Sequence, residues 1–159
     1  MTNFDINIFG KKFEKAINKV FTNISTFYDE QTHSKYGITT KQYPNIDVKN
    51  LTFAEAAFLH YRDNWSTQFY EKISSDELAA KIFETAIEIG TETAHILLQR
   101  ALRSTGNFVK EDGHLGKITL AAVNNANHRE LLAAFRSEIA GHYRQTYSDT
   151  DAFLKLAYA

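Results

Sequence analysis

Between Ser74 and Leu102 the apolar residues recur at steps of three and four, interrupted by a single glycine. Leu78, Ala79, Ile82, Phe83, Ala86, Ile87 and Ile89 form a stripe wider than a surface helix needs, so this first helix is expected to be buried on most of its circumference. Ser74-Ser75-Asp76-Glu77 opens it with a side-chain cap and a Glu three residues on. Gly90 ends it, because the residue just past a helix often takes a positive φ that only glycine adopts freely. Thr91 is expected to cap the next helix, with Ala94, Leu97, Leu98, Ala101 and Leu102 inward. So short a joint gives a tight helix pair on which the remaining segments pack.

The same period runs through most of the chain. Phe9, Phe13, Ala16, Ile17, Val20, Phe21 and Ile24 predict a helix from about Phe9 to Ile24, with Lys11, Lys12, Glu14, Lys15 and Lys19 outside. Ser25 to Lys35 has no helical period and reads as a loop. Tyr36-Gly37-Ile38-Thr39 is a turn or a short strand, and Tyr43-Pro44-Asn45 is a second turn. Thr52 and Glu55 form a capping box for a helix ending near Asn64 or Trp65. A polar loop runs from Thr105-Gly106 to Gly113. Leu115, Ile118, Leu120 and Val123 suggest a short helix. Asn127 caps a long one with Leu131, Ala134, Phe135, Ile139 and His142 inward, and Asp149 to Ala159 forms a last helix. The expectation is one all-α domain of about six to seven helices, lysozyme-like or bundle-like, with a short turn or strand near residues 36–39.

Composition narrows the function classes. The 159 residues suffice for a core without staples, and the absence of cysteine removes disulfides and thiolate metal sites. A formal charge of −1 with both signs mixed argues against a nucleic-acid or anionic-membrane surface. No apolar run approaches the roughly 18–20 residues of a membrane span. Met1-Thr2-Asn3-Phe4-Asp5-Ile6 lacks the basic and apolar regions of a secretory signal, so synthesis in the cytoplasm is expected, with any delivery to the cell wall by a holin or another export route. Glu92 and His95 form only an isolated pair, Gly113 and Gly116 are badly spaced for a phosphate loop, and no nucleophile elbow occurs. No metal or cofactor is implied. Tyr61, Trp65 and Tyr70 read as a sugar-stacking platform or as a small aromatic core. Asn64, Gln68 and Thr39 offer amide and hydroxyl groups of the kind that hold sugars.

A series of blocks resembles the glycoside hydrolase family 108 muramidases. Tyr36-Gly37-Ile38-Thr39 and His60-Tyr61-Arg62-Asp63-Asn64-Trp65 are similar to that family's YGIT block and aromatic helix end. Phe83 to Gly90 resembles its FDxAVNxG segment, Leu97 to Leu102 its LLQRAL, and Asp112 to Leu120 its DGxxGxxTL. The ordered series spans about Phe13 to Gln145. It implies a lysozyme-like helical fold that acts on the peptidoglycan glycan strand, with a muramidase-like part over about residues 9–73 and a peptidoglycan-binding part over about 74–145. Taken together, the residue chemistry and this resemblance give Tyr36, Thr39, Tyr61, Asn64, Trp65 and Glu84 as candidate glycan-binding residues.

The chain departs from the family at one chemically decisive place. The family's general acid is a glutamate in an EGG triplet at the end of helix one, where this chain has Ile24-Ser25-Thr26. Glycosidic cleavage needs a proton donor at the leaving oxygen, which an isoleucine cannot supply. Two carboxyls are candidate replacements: Glu30, in the shortened loop, and Glu88, on the segment that in the family faces the substrate groove. Glu84 and Glu88, at i and i+4, are like-charged neighbours, so burial would raise one of their pKa values, whereas a solvated face beside Lys81 would not. The expected function is therefore a non-hydrolytic muramidase-like domain that binds glycan or a partner. The alternatives are an active muramidase with a relocated acid and an assembly protein that reuses the fold.

Overall fold

Gly10 sets the start of the first long helix. Its φ of 94° is not helical, so α1 begins at Lys11 and runs to Asn23 instead of starting at Phe9. In the computed structural model, which describes residues 6–147 and 151–159, Ile6–Phe9 forms a 3-10 turn ahead of it. The fold is all-α: seven α-helices and one two-stranded ribbon among the described residues. The chain divides into two compact units, Met1–Glu71 and Lys72–Ala159, and each is described by itself.

In the first unit α1 buries Phe13, Ala16, Ile17, Val20 and Phe21, and leaves Lys11 and Lys15 exposed. Strands β1 (Ser34–Lys35) and β2 (Ile38–Thr39) pair antiparallel, so the YGIT segment is both turn and strand. Tyr36 and Gly37 make the two-residue connection at φ 54° and 74°, the positive angles that a tight hairpin needs at both positions. A tyrosine there is strained, and two bonds hold it. Its N–H donates to the Ser25 carbonyl at 3.1 Å, and its carbonyl accepts from His60 Nε2 at 2.7 Å. Ile46 N–H closes the Tyr43-Pro44-Asn45 turn on the Tyr43 carbonyl. Helix α2 (Phe53–His60) opens with the full Thr52/Glu55 capping box and passes into one π-helical turn, Tyr61–Trp65.

The second unit is built on α3 (Asp76–Ile89) and α4 (Thr91–Ser104). Every residue of α3 from Leu78 to Ala86 is buried, as the wide stripe requires. Two capping expectations are corrected. Ser75, not Ser74, caps α3 by accepting from Leu78 N–H, because Ser74 is drawn to Asn124, whose Oδ1 accepts from its N–H and its hydroxyl. Thr91 makes no side-chain cap, because Gly90, at φ 93°, ends α3 and also precedes α4, which puts Thr91 inside the helix. At the end of α4, Asn107 N–H bonds to Leu102 O and Gly106 N–H to Arg103 O, the paired bonds of a Schellman stop.

Helices α5 (Lys117–Asn125), α6 (His128–Thr146) and α7 (Asp151–Tyr158) follow. Asn127 caps α6 as expected, through Arg129 and Glu130 N–H. Leu131, Phe135 and Ile139 of α6 are buried, while Ala134 and His142 are half-buried. Ile118 of α5 is 77% exposed, and Thr119 and Val123 carry the buried side of that helix. The expected start of the last helix at Asp149 lies outside the described residues. Helix α4 packs on α3 and α6, and α6 on α7.

Candidate functional site

Lys81, Glu84 and Glu88 stand at i, i+3 and i+7 on α3 and so share one face. That face is not solvated. Lys81 Nζ lies 3.3 Å from Glu84 Oε1, with both side chains 1% exposed. The same ammonium donates to the Leu156 carbonyl of α7 at 2.7 Å. Two charges are taken out of water here, which costs several kcal/mol per ion, on the order of what pairing and hydrogen bonding return. Glu84 is therefore tied to a buried cation and presents no open carboxylate to a sugar, against its expected glycan-binding role.

Glu88, one turn further on, is half-buried. Burial, reinforced by the negative charge of Glu84 and opposed by the more distant Lys81, pushes its carboxyl up to about 7. Burial also raises the Tyr143 hydroxyl of α6, followed by the charge of Glu88. Glu88 thus exchanges its proton near neutrality, the range in which a general acid works. Glycosidase chemistry also needs a second carboxyl at a defined separation.

The candidates in the first unit have different surroundings. Helix α1 ends at Ile24 in extended conformation, with no carboxyl at that position. Asp29 accepts from Gln31 and Thr32 N–H; the Gln31 bond first, then the Thr32 bond, hold its carboxyl below the ordinary range, so it stays ionised. Glu30 is 72% exposed and pairs with Lys49 Nζ at 3.1 Å. Neither acid is set up as a proton donor.

The aromatic residues belong mainly to packing. Trp65 is 1% exposed, packed edge-on to Phe13 at 5.5 Å and tilted against Tyr70 at 5.8 Å, and its Nε1 donates to Glu71. It has no open face for a sugar, so the core alternative holds at this residue. Tyr61 stacks on Phe9 at 4.3 Å and meets Phe13 edge-on. The Tyr36 ring lies against Phe21 at 4.9 Å. Both stay half-buried, as does Asn64, whose carbonyl accepts from Gln68 N–H. Thr39 Oγ1 accepts from Gln42 N–H and holds the turn after β2. Sequence reasoning overlooked the exposed rings, Phe58 at 40% and Phe69 at 50%; Phe27, in the polar loop, is 81% exposed. For Phe27 and Phe69 an aromatic residue beside polar neighbours was the available signal; Phe58, between Ala57 and Leu59, carried none.

Gln99 was also missed, and it joins two of the blocks. Fully buried in α4, it donates through Nε2 to Asp112 Oδ1 at 2.9 Å, His114 O at 3.0 Å and Thr119 Oγ1 at 3.2 Å. Its Oε1 accepts from Gly113 N–H at 2.9 Å. His95, one turn earlier, donates through Nδ1 to Gly113 O at 3.0 Å. A Cβ at Gly113, where φ is 76°, would lie 2.8 Å from Glu92 Cγ and 3.3 Å from its carbonyl, so any other residue there would be strained and would displace Glu92. These bonds give the Leu97–Leu102 and Asp112–Leu120 segments a structural logic: one buried amide fixes the loop.

Among the described residues no group of three or more His, Asp or Glu side chains could hold a metal ion, and no helix is long and apolar enough to cross a membrane. The sequence matches no model of a known protein family and no curated protein.

Proposed function

We propose that the chain is a muramidase-like domain that engages the peptidoglycan glycan strand without cleaving it, after delivery to the wall by a holin or another export route. The observation that carries the non-hydrolytic reading is the end of α1. Ile24 closes α1, and in the family this chain resembles the proton donor stands at that helix end; of the two acids that follow, Asp29 is held ionised by backbone N–H groups and Glu30 is paired with Lys49. Both loop carboxylates are thus engaged by donors of their own.

A second reading has one specific observation in its favour. Glu88 holds its proton up to about 7, which suits it to act as a relocated acid in an active muramidase. Both readings face the same pair of assays: retention on purified sacculi at varied salt, and a cell-wall zymogram of wild type, Ile24→Glu, Glu30→Gln and Glu88→Gln. The primary reading expects retention without lysis by wild type. Lysis by wild type that disappears in Glu88→Gln transfers the conclusion to the hydrolase. Neither retention nor lysis, with a stable dimer on sizing, overturns both in favour of an assembly protein.

A further inference from the structure

In the first unit a concave pocket of 460 Å³ lies where the segment before α2 meets that helix. Its size falls within the roughly 300–1,000 Å³ of small-molecule sites. Ile46, Leu51 and Leu59 give it an aliphatic floor, and Phe58 adds a ring that is 40% exposed. Two carboxylates, Asp47 and Glu55, line it together with Asn50, and among the described residues no basic side chain does. Both carboxylates are positioned by capping. Asp47 accepts from Asn50 N–H and Nδ2, and Glu55 Oε2 accepts from Thr52 N–H and Oγ1. Glu55 Oε1 has no hydrogen-bond partner among the described residues.

Apolar walls with two fixed negative charges disfavour an anion and leave a neutral apolar ligand facing unneutralised carboxylates. They complement an aliphatic chain that ends in an ammonium: methylenes on Leu51, Leu59 and Phe58, and the charged head, with three donors, on the carboxylates. The Phe58 ring already receives a cation, since Arg62 lies 5.6 Å from its centroid while its guanidinium is bound to Asp63. We propose that this pocket takes the amino-terminated side chain of a diamino acid in the peptidoglycan stem peptide. The ligand chemistry comes from the pocket, whereas its source rests on the wall-engaging reading above.

The test is calorimetric titration of the full chain with a stem tetrapeptide carrying a free ε-amine, and with the same peptide Nε-acetylated. Acetylation removes the charge and leaves the methylenes. Asp47→Asn/Glu55→Gln removes both charges while keeping side chains that still cap, and a thermal melt checks that the fold persists. Phe58→Ala tests the ring independently of the caps. Acetylation and the double substitution are each expected to weaken binding about tenfold or more, and Phe58→Ala to weaken it less. Equal binding of the two peptides, or no binding of either, overturns the proposal. Sacculus retention by wild type, with no binding of either peptide, overturns the pocket assignment alone. Peptide binding without sacculus retention overturns the assigned source.

Discussion

Replacing Glu88 by glutamine should stabilise the second unit at alkaline pH and remove most of its pH dependence. The carboxyl moves from an ordinary 4.5 to about 7 in the fold, driven first by burial and then by Glu84. Because the folded state favours the protonated form, it binds more protons than the unfolded chain between those values. Stability is therefore complete below about 4.5, declines as pH rises through about 7, and is flat above. At 1.36 kcal/mol per pKa unit the loss is about 2–3 kcal/mol for this half-buried group. Glutamine keeps the shape and stays neutral, so Glu88→Gln should match wild type near pH 4.5 and exceed it by about 2–3 kcal/mol at pH 8. Urea melts read by helical ellipticity, with amide exchange in α3 to isolate the second unit, measure the difference. A carbon-detected titration of the Glu88 carboxyl gives the midpoint directly. The Tyr143 hydroxyl, raised in part by the Glu88 charge, should titrate lower in the variant. A midpoint in the ordinary carboxylate range, or a variant no more stable than wild type at pH 8, would refute the reasoning.

Two further outcomes follow from other buried polar groups. Gln99→Leu removes the amide that fixes the loop around Gly113 and leaves Gly113 N–H buried without its acceptor; a loss of about 2–4 kcal/mol is expected, with faster exchange at that amide, and unchanged exchange there would count against the fixing role. His60 carries the opposite pH sign to Glu88: burial pushes it down to about 4, although its bond to the Tyr36 carbonyl works the other way. Its contribution is complete above about 6.5 and is lost as pH falls toward about 4, on the order of 3 kcal/mol. Trp65, the chain's single tryptophan and a core residue of the same unit, reports this by fluorescence, and His60→Gln should flatten the acid slope.

What was legible in the sequence depended on how far away the deciding partner lies. The Thr52/Glu55 box, the Gly90 joint and the Asn127 cap each close within one turn, so residue type and spacing were enough. The choice between Ser74 and Ser75 was not local: Asn124, fifty positions away, takes Ser74 and leaves the cap to its neighbour. The Lys81–Glu84 pair has the spacing of an outer helix face, and its burial depends partly on a carbonyl seventy-five positions on, in α7. The candidate site divides along the same line. That Ile24 at the end of α1 carries no carboxyl is legible, because the absence of a functional group is a property of residue type. The proton on Glu88 is not legible, because the sequence supplies the carboxyl and its like-charged neighbour, but only packing withdraws the water that would otherwise keep it ionised. A search for relocated acids from sequence alone should therefore weigh carboxylates on helices that are apolar nearly all round above those in polar loops. Glu30 and Glu88 are the same residue type, and their surroundings are what separate an exposed ion pair from a carboxyl raised toward neutrality.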